Sequence, residues 1–114
     1  MDFAAIIVAA GRGTRAGGAK QWRDLGGRPL VRWSLEALLA AGARHVVVVI
    51  PAGDQQAAET AFSGLPGWSA VEGGAERFDS VRAGLAALVQ RQPSAVLIHD
   101  AARPFVTGAV IEAL

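Results

Sequence analysis

At 114 residues, of which 52% are apolar, the chain has material for one domain with a sizeable core and is not an intrinsically disordered sequence. Eleven basic residues against ten acidic ones leave a net charge of +1, so no excess of cations marks a nucleic-acid surface. There is no cysteine, which excludes disulfides, thiolate metal sites and cysteine nucleophiles, and the two histidines cannot build a zinc site without carboxylates.

The first apolar run, Ala4 to Ala10, ends at Gly11 and reads as a strand buried on both faces. Gly11 to Gly27 then reads as one long loop, rich in glycine and cations. Ordered loops of that length tend to be functional. Pro29 opens a helical pattern in which Leu30, Val31, Ser34, Leu35, Leu38 and Leu39 share a face, with Gly42 as its C-cap. His45 to Ile50 is a second buried strand, stopped by Pro51, and His45 is expected to be exposed. Asp54 caps a helix running to about Phe62, and Trp68 to Val71 is a short strand. After the loop Glu72 to Ala75, the residues Phe78, Val81, Leu85 and Leu88 mark the buried face of another helix. Ala95 to His99 is a further buried strand, and Thr107 is placed as the cap of a helix that has barely begun at Leu114.

Strands without polar alternation, each followed by a helix, predict a mostly parallel sheet covered on both sides: an α/β, Rossmann-like three-layer sandwich. A last strand with an unpaired edge would be a liability. The chain is therefore expected to be the N-terminal part of a larger domain, or to be completed by something else. No apolar run approaches the ~20 residues of a membrane span. The N-terminus Met1-Asp2-Phe3 lacks a basic leader, so a cytoplasmic protein is expected.

Ligands of open parallel sheets bind beyond the carboxyl ends of the strands. The loops Gly11–Gly27, Glu72–Arg77 and Asp100–Pro104 leave such ends. They line one cleft if the first strand and the strand at Ala95 are neighbours. In the first loop, Gly11 and Gly13 let backbone N–H groups approach a phosphate, and Arg15 and Lys20 supply charge for a polyphosphate. Gly11, Gly13 and Ala16 satisfy a dinucleotide-binding fingerprint formally, but the helix begins too late and Pro51 stands where an acid would read the ribose. A Walker A loop fails at Ala19-Lys20-Gln21. Asp100 and Arg103 set a carboxylate and a guanidinium three residues apart, suited to a sugar hydroxyl or metal and to a phosphate. His99 is assigned to the core, and Trp22, Trp33 and Trp68 to packing.

The segments Ala9-Ala10-Gly11-Arg12-Gly13-Thr14-Arg15 with Lys20-Gln21, Gly73-Gly74-Ala75-Glu76-Arg77 through Ser80-Val81, and His99-Asp100-Ala101-Ala102-Arg103-Pro104 together resemble the 2-C-methyl-D-erythritol 4-phosphate cytidylyltransferase family. The first segment alone is shared with sugar-1-phosphate and molybdenum-cofactor nucleotidyltransferases. The resemblance implies transfer of a cytidylyl group from CTP to methylerythritol phosphate, with magnesium on the CTP phosphates, in a homodimer. It implies that Arg15 and Lys20 hold the phosphates and stabilise the transition state. It assigns Ala9, Ala10, Gly11, Gly13, Gly74, Ser80 and Ala101 to the nucleotide, and Asp100 and Arg103 to the acceptor; the metal's own protein ligands stay unassigned. Residues 1–114 then read as the N-terminal part of a single cytidylyltransferase domain, in some relatives fused to a cyclodiphosphate synthase. Ala19 replaces a proline common in the family, and Ala75 stands where some members carry an acid. Family members are longer, and their second halves supply another phosphate-binding lysine and an arm that crosses the dimer. A different nucleotidyltransferase, an inactive nucleotide-binding fragment and an oxidoreductase domain are the rival readings.

Overall fold

The computed structural model describes residues 2–9, 24–25, 28–74, 76–100 and 109–112. Among them the chain runs β1 (Phe3–Val8), β2 (Asp24–Leu25), β3 (Arg28–Pro29), α1 (Leu30–Ala40), β4 (Val46–Ile50), α2 (Gln55–Ala61), β5 (Trp68–Glu72), α3 (Arg77–Leu88), a 3-10 turn (Val89–Arg91), β6 (Ala95–Asp100) and β7 (Ala109–Glu112). The main sheet has the order β5-β4-β1-β6-β7. Its first four strands are mutually parallel, and β7 runs antiparallel to β6.

β1 lies in the middle because it can be buried on both sides. Ala4, Ala5, Ile6 and Ile7 are fully buried, and the alternation of the strand sends them to opposite faces. Ala5 and Ile7 join Val46, Val48 and Ile50 of β4 against Val31, Leu35 and Leu38 of α1 and Ala58 of α2. Ala4, Ile6 and Val8 join Val47, Val49, Val96 and Ile98 against Val81, Leu85 and Leu88 of α3. These are the three expected layers.

α1 ends as its sequence predicts. Gly42 has φ +103°, and the N–H groups of Gly42 and Ala43 donate to the carbonyls of Leu39 and Leu38. Beyond α2, Phe62 meets Trp68 edge to face at 4.8 Å, and the Trp68 indole N–H donates to the Leu65 carbonyl at 2.7 Å. Trp68 is therefore a packing residue. The pattern of Trp22 lies outside the described residues.

Four expectations change. The long first loop ends in a two-residue antiparallel hairpin, with Asp24 opposite Pro29 and Leu25 opposite Arg28, which delivers the chain into α1. His45 is buried, not exposed, and its Nε2 lies 2.9 Å from Ser69 Oγ on the neighbouring strand. Phe78 is 67% exposed, since the packed face of α3 is set by Ser80, Gly84 and Leu88. Its ring instead takes the Arg82 guanidinium at 5.4 Å. Finally, residues 109–112 form β7 and not a helix. A short apolar run does not declare its own period, and the open edge of β6 decides it. The edge expected to need an outside partner is thus paired from within the chain.

At the amino ends of the strands the sheet is pinned by Asp2. Its carboxylate accepts from Arg44 at 3.1 Å and from the Ser94 backbone N–H at 3.2 Å. Desolvation raises the Asp2 carboxyl, but the hydrogen bonds from Arg44 and Ser94 and the Arg44 charge outweigh it and hold the group below its ordinary value.

Candidate active site

In a parallel sheet all carboxyl ends face the same way, and here the register brings them level. Val8 is opposite Val49 on one side and opposite Asp100 on the other, and Ile50 is opposite Glu72. The loops after β1, β5 and β6 therefore leave from one edge, and the neighbour relation on which a common cleft depended is present.

Ala9 follows β1 directly. It is buried, and its N–H donates to the Val49 carbonyl at 2.7 Å, which continues the β1–β4 pairing by one residue. Ala10, Gly11, Gly13, Arg15 and Lys20 lie outside the described residues, as do Ala101 and Arg103. Asp100 is placed as the last residue of β6, beside the end of β1.

The second loop is described in more detail. Gly73 N–H donates to the Ile50 carbonyl at 2.8 Å, and Gly53 N–H donates to Glu72 Oε2 at 3.3 Å, so the turns after β4 and β5 are clipped together. Gly74 is a glycine for reasons of space: a Cβ there would come 2.5 Å from Asp79 Cβ. Asp79 has a task of its own. Its side chain accepts from the Glu76 N–H while the Glu76 side chain accepts from the Asp79 N–H, closing a capping box at the start of α3. The spacing Glu76-x-x-Asp79 carried that signal weakly, because the usual pattern has a hydroxyl first and a longer acid last.

Ser80 lies one turn into α3. It is fully buried, and among the described residues its Oγ has no hydrogen-bond partner. An unpaired buried hydroxyl is uncommon and costs about 1–3 kcal/mol. Gly74 precedes α3 and Ser80 lies in its first turns. On the other face, Ser34 Oγ of α1 lies 3.0 Å from His99 Nε2 of β6, with both residues fully buried. Nothing local in the sequence announces that pairing, since 65 positions separate the partners.

Among the described residues, the groups with shifted pKa values are Asp2 and His45. Burial, reinforced by the Arg91 charge, lowers the pKa of His45, which precedes β4 at the opposite end of the sheet. Among the described residues no group of three His, Cys, Asp or Glu side chains converges on a metal position. No helix among them is long and apolar enough to cross a membrane.

A central parallel sheet, helices on both faces and glycine-bearing turns at the carboxyl edge define an α/β sandwich of the class that binds ligands beyond its strand ends. The family model for 2-C-methyl-D-erythritol 4-phosphate cytidylyltransferase matches residues 3–114. The chain belongs to that family. It is 58% identical over 118 aligned positions to the bifunctional enzyme IspD/IspF of Caulobacter vibrioides, covering 100% of this chain and 31% of the relative. It is 50% identical to the bifunctional enzyme IspD/IspF of Novosphingobium aromaticivorans, covering 99% of this chain and 30% of that one. The chain therefore spans about a third of the length of these relatives. Among solved structures, the 4-diphosphocytidyl-2C-methyl-D-erythritol synthase of Anaerococcus prevotii superposes with a TM-score of 0.76 at 29% identity, over 91% of this chain and 44% of that one.

Proposed function

We propose that this chain is the N-terminal, nucleotide-holding part of a cytidylyltransferase domain that transfers a cytidylyl group from CTP to 2-C-methyl-D-erythritol 4-phosphate. The observation that carries the reading is the pairing of β1 with β6, which starts the loop bearing Arg15 and Lys20 beside the loop bearing Asp100 and Arg103. Membership of the family supports the choice of substrates.

In the reaction, an oxygen of the acceptor phosphate attacks the α-phosphorus of CTP. The new P–O bond forms as the bond to the β-phosphate breaks, and pyrophosphate leaves with the electron pair. The nucleophile is already ionised at neutral pH, so no general base is needed. The barrier is repulsion between anions and charge building on the leaving group. Fixed cations lower it by position and by field. Arg15 and Lys20 take that role on the triphosphate, and Arg103 holds the acceptor phosphate. Asp100 receives acceptor hydroxyls. Ala9, Ala10, Gly11, Gly13, Gly74 and Ala101 present backbone to the nucleotide, and Ser80 offers its buried hydroxyl to the base.

We place magnesium mainly on the triphosphate, whose hard oxygens suit it, with its protein ligands unassigned. When bound, it supplies further charge neutralisation of the phosphates. A homodimer in the cytoplasm is the expected state, and the relatives' name, bifunctional enzyme IspD/IspF, favours a protein that carries a second activity.

The test is pyrophosphate release by the full-length protein from CTP and methylerythritol phosphate, beside a calorimetric titration with magnesium-CTP, GTP and NADH. Release that requires both substrates, with binding selective for CTP, is expected. A folded protein that releases nothing, or that prefers NADH, overturns the reading.

A further inference from the structure

The Ser34–His99 hydrogen bond has no part in the chemistry above, yet it joins α1 to the end of β6. Ser34 lies in the second turn of α1, the helix entered directly from the β2–β3 hairpin that closes the first loop. His99 is the penultimate residue of β6, opposite Ile7, and the next residue is Asp100, opposite Val8. The bond is 3.0 Å long and both side chains are fully buried. Ile7, Val31 and Leu35 belong to the core on this face of the sheet, with Leu97 packed against it. An aliphatic pair here would pack as well and would impose no direction. A buried hydrogen bond does impose one, because it is directional and its loss is costly.

We propose that Ser34 and His99 are a positioning pair: a strut from α1 to the end of β6 that fixes where the acceptor loop starts relative to the nucleotide loop. The inference rests on the functional reading above. The pair touches no substrate. It acts through Asp100 and Arg103, whose loop begins one residue beyond it, and it does not reach Gly74 and Ser80, which serve the other face. Acceptor use should depend on the strut, and CTP binding should not.

The experiment is steady-state kinetics and CTP titration of Ser34→Ala, His99→Phe and the double variant in the full-length protein, with thermal melts to count the folded fraction. The expected result is a drop of about tenfold in kcat/KM for the acceptor in each single variant, with the CTP dissociation constant within about twofold of wild type. The double variant should lose little more than either single one, because both break the same bond. His99→Gln, which keeps a polar atom near the Nε2 position, should recover part of the loss. Equal losses toward both substrates, or a lowered melting temperature with unchanged kinetics per folded molecule, would overturn the inference and leave the pair a piece of core. An inactive wild-type protein would bring down the functional reading and this inference together, whereas an active wild type with an unaltered Ser34→Ala variant brings down the inference alone.

Discussion

Val8 and Asp100 are register partners at the carboxyl ends of β1 and β6. Neighbouring strands lie about 4.8 Å apart, so the loops after these two residues start within one side chain's reach of each other.

Arg15→Ala and Lys20→Ala should each lower turnover about 100-fold or more, the scale of losing one fixed electrostatic contact to a transition state. The preference for CTP should survive both changes, because base reading is assigned to Gly74 and Ser80. Rates and nucleotide competition in the full-length variants check this. Near-normal rates would remove the two cations from the mechanism.

Gly74→Ala sets a Cβ 2.5 Å from Asp79 Cβ and 3.0 Å from its Cγ. One of them has to move, and Asp79 is held by the capping box with Glu76. We expect weaker CTP binding together with a loss of ~0.5–2 kcal/mol in stability, the usual range for a lost helix cap. Titration and chemical denaturation measure the two effects. A variant unchanged in both would show that the turn has slack.

Gly84→Ala tests the seat of α3 on the sheet. The added Cβ would come 2.8 Å from Ile6 Cγ2, inside a fully buried contact. Overpacking costs ~1–3 kcal/mol against a helix-propensity gain of at most ~1 kcal/mol, so the net change should be destabilising. In an Ile6→Ala background the same substitution should cost much less. Additive penalties in a denaturation cycle would contradict the contact.

His45 gives a pH dependence with a definite sign. Burial, then the Arg91 charge, holds its pKa below the ordinary 6.5, so the folded state binds fewer protons than the unfolded chain as the pH drops past that value. Its contribution to stability is complete above 6.5 and is lost as the pH falls toward and through the lowered folded value. Melting temperatures across that window should fall with pH, and His45→Gln should flatten this part of the curve. An unchanged curve in the variant would assign the acid sensitivity to other groups, Asp2 among them.

The parallel core was legible because its strands are continuous apolar runs and its helices carry their period openly. Ala4 to Val8 and Val46 to Ile50 needed no tertiary context. The motif loops could be placed at strand ends by the same reasoning. What could not be read depended on distant partners. The burial of His45 requires Ser69 on the next strand, and the strand at 109–112 requires the edge of β6. The outward turn of Phe78 follows from Gly84, whose missing side chain lets α3 lie against Ile6 and so chooses which face of the helix is packed. Ser80 could be assigned to the nucleotide only through family likeness, and the sequence gives no sign that its hydroxyl lacks a partner among the described residues.

Asp2 ties Arg44 and Ser94 together beneath the strands, at the end of the sheet away from the motif loops. The sheet is therefore fastened by surface contacts along the margin away from the motif loops. Substitutions at the fastened margin should alter how long the protein persists, while those at the opposite margin alter what it handles, and the two properties can be selected with little mutual interference.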